Sequence, residues 1–403
     1  MARQRPDPSF YASHKLATEA SPEEPAYFTL LPTASRSLRL ALVSVLAALA
    51  LGCQDSTAPD PPLPSVEAVP ELEAMPEHEE PAALVDQEHW ADGYVLANNP
   101  TAASYTPDPL FSFNRTGGAV QITKPAGTTG RYLVKFTGLS PFLGSKSTVH
   151  VTGNLDNTTH CKPVRAYLVN SVVEVRCFLA RTGEAVNAHF TVLVLRKGTN
   201  LAFAHAHRPT ETNYTPQARG SWNPGGAIQV IRVGVGVYRV TFNGFGALLS
   251  GSGSGGHVQV SAVGPGKQHC KVRVWDRDAV DVLCYTRAGA PVDTKFNVLY
   301  LAPSNRLAYA WADQPSTTSY GPDPFYSTGG PTSITRSGTG QYTVSWAGIA
   351  SQLLQGGNVQ VTAYGPGNAQ CNVIQGGFGA AVVACFAPNG ARVDSFFTVL
   401  LGS

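Results

Sequence analysis

The stretch that decides the fold is Gly340-Gln-Tyr-Thr-Val-Ser-Trp-Ala-Gly348, because the chain writes it twice more. It stands as Gly130-Arg-Tyr-Leu-Val-Lys-Phe-Thr-Gly138 and as Gly236-Val-Tyr-Arg-Val-Thr-Phe-Asn-Gly244. In each copy Tyr, Val and an aromatic alternate with other residues between two glycines, the period of a half-buried β-strand bounded by turns. Outward from it the same order of features recurs. A Tyr-x-Pro step precedes it at Tyr105/Pro107, Tyr214/Pro216 and Tyr320/Pro322. A Val-x-Val strand follows at Val149/Val151, Val258/Val260 and Val359/Val361, and two cysteines come next. Each copy closes on Phe-x-Val-Leu, at Phe190, Phe296 and Phe397.

The first cysteines of the pairs, Cys161, Cys270 and Cys371, lie 109 and 101 residues apart. That period exceeds a solenoid repeat and is long enough for a domain. The expected architecture is therefore all-β. It consists of three tandem antiparallel β-sandwich domains, immunoglobulin-like or jelly-roll-like, over residues 93–199, 200–305 and 306–403. The 40 glycines and 30 prolines, against 14% charged residues, agree with that expectation.

The pairs Cys161/Cys177, Cys270/Cys284 and Cys371/Cys385 recur once per domain. In the second, strand parity puts Cys270, Val272 and Val274 on one face and Val280, Val282 and Cys284 on its partner's. Both thiols then point to the core from adjacent strands, so one hairpin disulfide per domain is expected. Zinc would need short paired spacings and histidines that are not there. His160 and His269 do precede Cys161 and Cys270, but Gln370 takes that place in the third domain, and parity turns these side chains away from the cysteines.

Ahead of the repeats, Leu40–Gly52 is an apolar run with Arg36 and Arg39 before it. As a helix it would rise only about 20 Å, short of a bilayer core of about 30 Å, and it reads as the apolar part of a secretory signal. It ends at Leu51-Gly52-Cys53, which resembles the lipobox of bacterial lipoproteins, although Ala50 departs from that pattern. The resemblance implies a signal region over residues 1–53 that is cleaved just ahead of Cys53, lipidation of Cys53 as the mature N-terminus, and anchoring in the cell envelope, most naturally the outer membrane or cell surface. Residues 54–92 hold 11 acidic residues and no Lys or Arg, with proline-rich phrases, and read as an extended tether. From Gly93 onward the balance reverses, with 24 Lys or Arg against 12 Asp or Glu.

The sequence presents no recognisable catalytic residue, metal site or cofactor motif. Gly264-Pro-Gly266-Lys267 lacks the Ser/Thr and the helix of a phosphate loop and reads as a turn. His205 and His207 share a strand face without a third ligand, and Trp311 and Asp313 replace them in the third domain. Asp293 and Asp394, with Asn187 in the first domain, recur beside the closing strand as turn or edge residues. At the cysteine hairpin tips stand the aromatics Tyr167, Trp275 and Phe378, with Trp275 expected to face solvent. Exposed rings there would be the contact residues for a glycan or protein ligand; the bland alternative folds each ring over its own domain edge.

With Gly340-Gln-Tyr-Thr-Val, Val359-Gln-Val-Thr-Ala-Tyr-Gly and Phe397-Thr-Val-Leu, the repeats resemble an uncharacterised domain of secreted bacterial proteins. This implies export and repetition but no activity. Leu307-Ala-Tyr-Ala and Phe397-Thr-Val-Leu-Leu are also similar to C1q-like jelly rolls over phrases too short to carry a function. The reading is a non-catalytic, envelope-anchored lipoprotein presenting β-domains for adhesion or ligand binding. Its partners would be the membrane, through the lipid, and a glycan or protein, with no nucleic acid. The alternatives are a structural spacer without ligand and a carbohydrate-active accessory or enzyme with an unrecognised cleft.

Overall fold

The computed structural model describes residues 90–402 apart from 145, 156, 157, 166, 305, 350–352, 354 and 355. Cys53 and the acidic stretch up to residue 89 lie outside them. Each repeat is a two-layer β-sandwich. In the second, the opening strand Leu201–Ala206 and the Val-x-Val strand His257–Ala262 flank the closing strand Phe296–Leu301, making a three-stranded inner sheet. Asn213–Tyr214, Ile228–Gly234, Val237–Phe242, Ala279–Tyr285 and His269–Asp276 form, in that order, a five-stranded outer sheet. The first and third repeats follow the same plan, and the first adds Ser112–Asn114 beside its opening strand Gly93–Ala97.

The local reasons are those the sequence displays. The alternating Tyr238, Val240 and Phe242 turn into the sandwich and are 0–1% exposed. Gly236, at φ +67°, turns the chain into that strand, and a Cβ on it would stand 2.5 Å from the Cys284 carbonyl oxygen. The cysteines sit directly opposite each other in register, and all three disulfides, Cys161–Cys177, Cys270–Cys284 and Cys371–Cys385, are formed. Each module has its own apolar core.

The inner sheets have no solvated face. Ser147–Asn154, His257–Ala262 and Asn358–Ala363 are buried at every position, the alternating polar residues included. Those polar residues meet around a pseudo-threefold axis on which the three modules converge. Thr152 Oγ1 donates to Gln360 Oε1 (2.7 Å) and Thr362 Oγ1 to Gln259 Oε1 (2.6 Å), while Ser261 Oγ pairs with His150 Nδ1 (3.3 Å). A second ring runs from the closing strands. Thr191 Oγ1 donates to Val359 O (3.0 Å), Asn297 Nδ2 to Val149 O (2.9 Å) and Thr398 Oγ1 to Val258 O (2.8 Å). Backbone bonds close a third, from Gly264 N to Pro163 O, Gly365 N to Val272 O and Leu155 N to Val373 O (2.8–3.0 Å). The last of these lies beside a parallel bridge, Val373 to Asn154, that carries the outer sheet of module 3 into the inner sheet of module 1.

At the other end the axis is apolar. Tyr94, Phe203 and Tyr309 pack with Leu193, Leu299 and Leu400 into a fourth core that belongs to no single module. Ala91 and Asp92, which composition groups with the tether, belong here at 0% and 3% exposure. Asp92 accepts from the Arg196 N–H (2.6 Å) and pairs with Arg115 (2.8 Å). An acidic residue beside a proline-rich run reads as tether until its two arginine partners, far along the chain, come into view.

Candidate functional site

The three hairpin-tip aromatics have different fates. In the strand His269–Asp276 the register slips between Val272 and Val274, a β-bulge at Arg273. One extra residue reverses the parity beyond it, so Trp275 turns inward instead of facing solvent. It is 5% exposed and donates its indole N–H to Gly255 O (3.1 Å). Around it stand Trp311, Tyr326 and Tyr364 of module 3, edge-on at 5.2–6.0 Å. Tyr167 leans over module 2, under the Arg219 guanidinium at 5.5 Å and against Gly220, where a Cβ would stand 3.0 Å from its Cδ1. Both rings clasp the next module rather than their own edge.

Phe378 differs. The bulge recurs between Val373 and Gln375, but Gly376 stands where Trp275 stands in module 2, so the boundary between modules 3 and 1 lacks the buried tryptophan. Phe378 and Gly379 form the two-residue link between Gln370–Gly377 and Ala380–Phe386, both at positive φ (+52° and +89°). That pattern is the primed turn in which Asn-Gly is preferred, and a bulky L-residue there is strained. The ring is 58% exposed, edge-on to Phe111 at 5.8 Å and near Leu110, itself 50% exposed. Of the three expected contact aromatics, only this one is held out to solvent.

The recurring acids are brackets. Asp394 Oδ1 accepts from the Gly340 N–H (2.7 Å), the Tyr342 hydroxyl (3.1 Å) and Arg336 Nε (2.9 Å), while Oδ2 takes a second bond from Arg336 (2.9 Å). Burial works against its charge, but Arg336, the Gly340 N–H and Tyr342 together hold the carboxyl below its ordinary value. Asp293 repeats this with Arg232, Gly236 and Tyr238, and Asn187 keeps the bond from Gly130 N (2.9 Å). These residues pin the decisive Gly-x-Tyr strand to the closing strand. His205 spends Nδ1 on Asn297 and the Phe296 carbonyl, and His207 packs against Tyr214. Among the described residues no group of three or more His, Cys, Asp or Glu is placed to hold a metal ion.

On the axis, His160 and His269 come within 6.0 Å of each other, ring centre to ring centre. The sequence carried a signal for this. Their parity puts them opposite the cysteines, on a face that is solvated in an isolated domain and axial in this assembly. Each bonds through Nε2 to a main-chain carbonyl of the next module, Gln268 (3.1 Å) or Asn368 (3.2 Å). They line an axial cavity of about 40 Å³ together with Gln370, Thr152, Ser261 and Thr362.

Compared with protein-family models, curated proteins and solved structures, the chain matches none.

Proposed function

We propose that the chain is an exported, envelope-anchored lipoprotein without catalysis, whose three-module head binds a glycan or protein ligand through the Phe378 tip. The observation that carries the reading is Phe378 itself. A phenylalanine held at φ +52° and 58% exposed costs the fold on two counts, since Asn or Gly suits the turn and a polar residue suits the water. Strain and exposure of this kind collect where a surface is used. Phe111 and Leu110 widen the apolar patch beside it. Three disulfides support export into an oxidising compartment, and the Cys53 lipobox supports an anchor there.

Two measurements test this. Cells fed labelled palmitate should label the full chain and hold it in the membrane fraction, and Cys53→Ala should abolish both. The full chain in detergent should bind within a panel of glycans, wall fragments and envelope proteins. Phe378→Gly should lose that binding while gaining about 0.5–1 kcal/mol of stability from relief of the turn. A panel that shows no binding at all would count for the spacer reading.

A further inference from the structure

Where the described chain enters the head, basic and aromatic side chains meet in one contiguous patch. The buried carboxylate of Asp92 draws in Arg115 (2.8 Å) and Arg196 (3.3 Å). The Arg196 guanidinium lies over the Phe142 ring at 4.5 Å, and Lys197 follows it in the chain. The Lys197 N–H bonds Lys146 O (3.0 Å), and the Lys146 and Lys197 ammoniums stand over the Trp222 ring at 4.9 and 5.9 Å. That indole is half-buried against the fourth core and gives its N–H to Gly198 O (2.7 Å). Four cations thus surround one buried acid. Lys197 is exposed, and neither lysine has a carboxylate partner among the described residues. The other modules build nothing equivalent. At the place of Trp222 they carry Phe113 and Thr328, and the helix Phe245–Ser252, which stands where Leu139–Leu143 does, has no charged residue.

Chemistry and position name the occupant. An indole at the edge of an apolar core, with long-stemmed ammoniums beside it, suits a membrane–water interface. The ring sits at headgroup depth while the ammoniums reach lipid phosphates. The 89 residues ahead of the described ones join the head at Trp90, which packs on the same fourth core as Trp222. The patch therefore lies beside the point from which the chain leads back to Cys53. At the opposite end of the axis, a recess beside His160 is lined by Lys267 and Arg287, and Arg287 bonds Arg181 O (3.0 Å). That end is basic too, but it has no tryptophan and no connection to the rest of the chain.

We propose that this patch docks the head on an anionic lipid surface, with Lys146 and Lys197 against lipid phosphates and the Trp222 ring among the headgroups. The proposal goes beyond the Phe378 contact and rests on the anchored reading, because attachment through Cys53 is what holds the patch near a bilayer. Each lysine close to an anionic surface is worth about fivefold in partition. The attraction fades within roughly 8 Å at physiological salt. Such docking is weak for a free head and effective for one already tethered to the surface.

The test uses the full chain carrying Cys53→Ala, which takes no acyl chain, and vesicles of phosphatidylcholine with or without phosphatidylglycerol. Co-sedimentation should be stronger with phosphatidylglycerol and should weaken as salt rises. Lys146→Gln with Lys197→Gln, which keeps both stems, should lower it by about fivefold for each lysine while the urea midpoint holds. Arg181→Gln with Lys267→Gln removes the same charge at the opposite end and should leave it nearly unchanged. Lipids brominated on their acyl chains should quench the emission component that Trp222→Phe removes. The apolar run 40–52 is common to every variant and cancels in these comparisons. Partition indifferent to lipid charge, equal losses from the two double variants, or an unquenched Trp222 component overturns the proposal. So does salt-sensitive masking of Lys197 from acetylation without vesicles, which would assign the patch to an acidic segment of the chain itself. Palmitate labelling reads the anchor separately, so failure of the anchor and failure of the patch are told apart.

Discussion

Between pH 6.5 and 4.5 the folded head should lose stability by several kcal/mol per pH unit, far more steeply than surface titration would cause. Five histidines are drawn away from water in the folded head, His150, His257 and His269 buried and His160 and His205 half-buried. Burial pushes His150 and His257 down to about 3, His205 and His269 down to about 4, and His160 well below its ordinary value. In the unfolded chain each would titrate near 6.5. Between the folded and unfolded values the unfolded chain therefore holds more protons, and stability must fall as pH falls. Each histidine contributes a slope of up to about 1.4 kcal/mol per pH unit, so five acting together give roughly 5–7 at most. Lys162 and Lys271 extend the trend upward. Their folded values near 7 and 8 lie below the unfolded 10.4 or so, and stability should still rise from pH 7 to 9. Urea midpoints from pH 9 to 5 read this directly. The modules themselves provide the control variants, since Gln259 and Gln360 stand at the place of His150, and Asn358 at that of His257. His150→Gln with His257→Asn should remove about two fifths of the acid slope. A profile flat from pH 7 to 5 would refute the buried axis.

That axis was half legible in the sequence. The repeat, the strand periods and the three disulfides follow from residues near one another in the chain, and the structure has them. Assembly was written in the same strands but in a quieter form. Alternating with the valines of the three Val-x-Val strands stand His150 and Thr152, Gln259 and Ser261, Gln360 and Thr362. All are polar and none carries a fixed charge, whereas a solvated strand face would be expected to hold lysine or glutamate. Hydroxyls and amides can complete one another's hydrogen bonds across a dry interface, and here they do so in a closed ring. Period-2 reasoning separates two faces; it does not say that the polar one meets water.

The apolar half of the axis was hidden for a related reason. Leu193, Leu299 and Leu400 fall out of phase with Val192, Val298 and Val399, so the closing strands read as continuous apolar runs. Such runs indicate burial on both faces, and the second face is the shared core with Tyr94, Phe203 and Tyr309. The grading from an apolar end to a charged recess follows from this division. The described chain enters at Trp90–Asp92 beside the apolar end, and His160 and Lys267 lie at the other.

Trp275→Ala should cost about 3–5 kcal/mol, the loss expected for a large aromatic removed from a packed core. The ring is 5% exposed, gives its N–H to Gly255 O, and is enclosed by Trp311, Tyr326 and Tyr364. Those three neighbours belong to module 3, so the damage should not stay in module 2. Hydrogen exchange should quicken at Gly255, whose N–H bonds Phe325 O, and along Asn358–Ala363. Trp275→Phe, which keeps most of the apolar volume and loses the indole hydrogen bond, should cost about 1–3 kcal/mol. Phe378→Ala at the exposed tip should cost nothing measurable. The ordering of these three variants separates the two registers of the strand His269–Asp276. With the bulge at Arg273 the tryptophan is a clasp between modules and its removal is a stability defect. Without the bulge it would be a solvent-facing ring. Trp275→Ala would then leave the urea midpoint where it was, and the inter-module packing described here would be wrong.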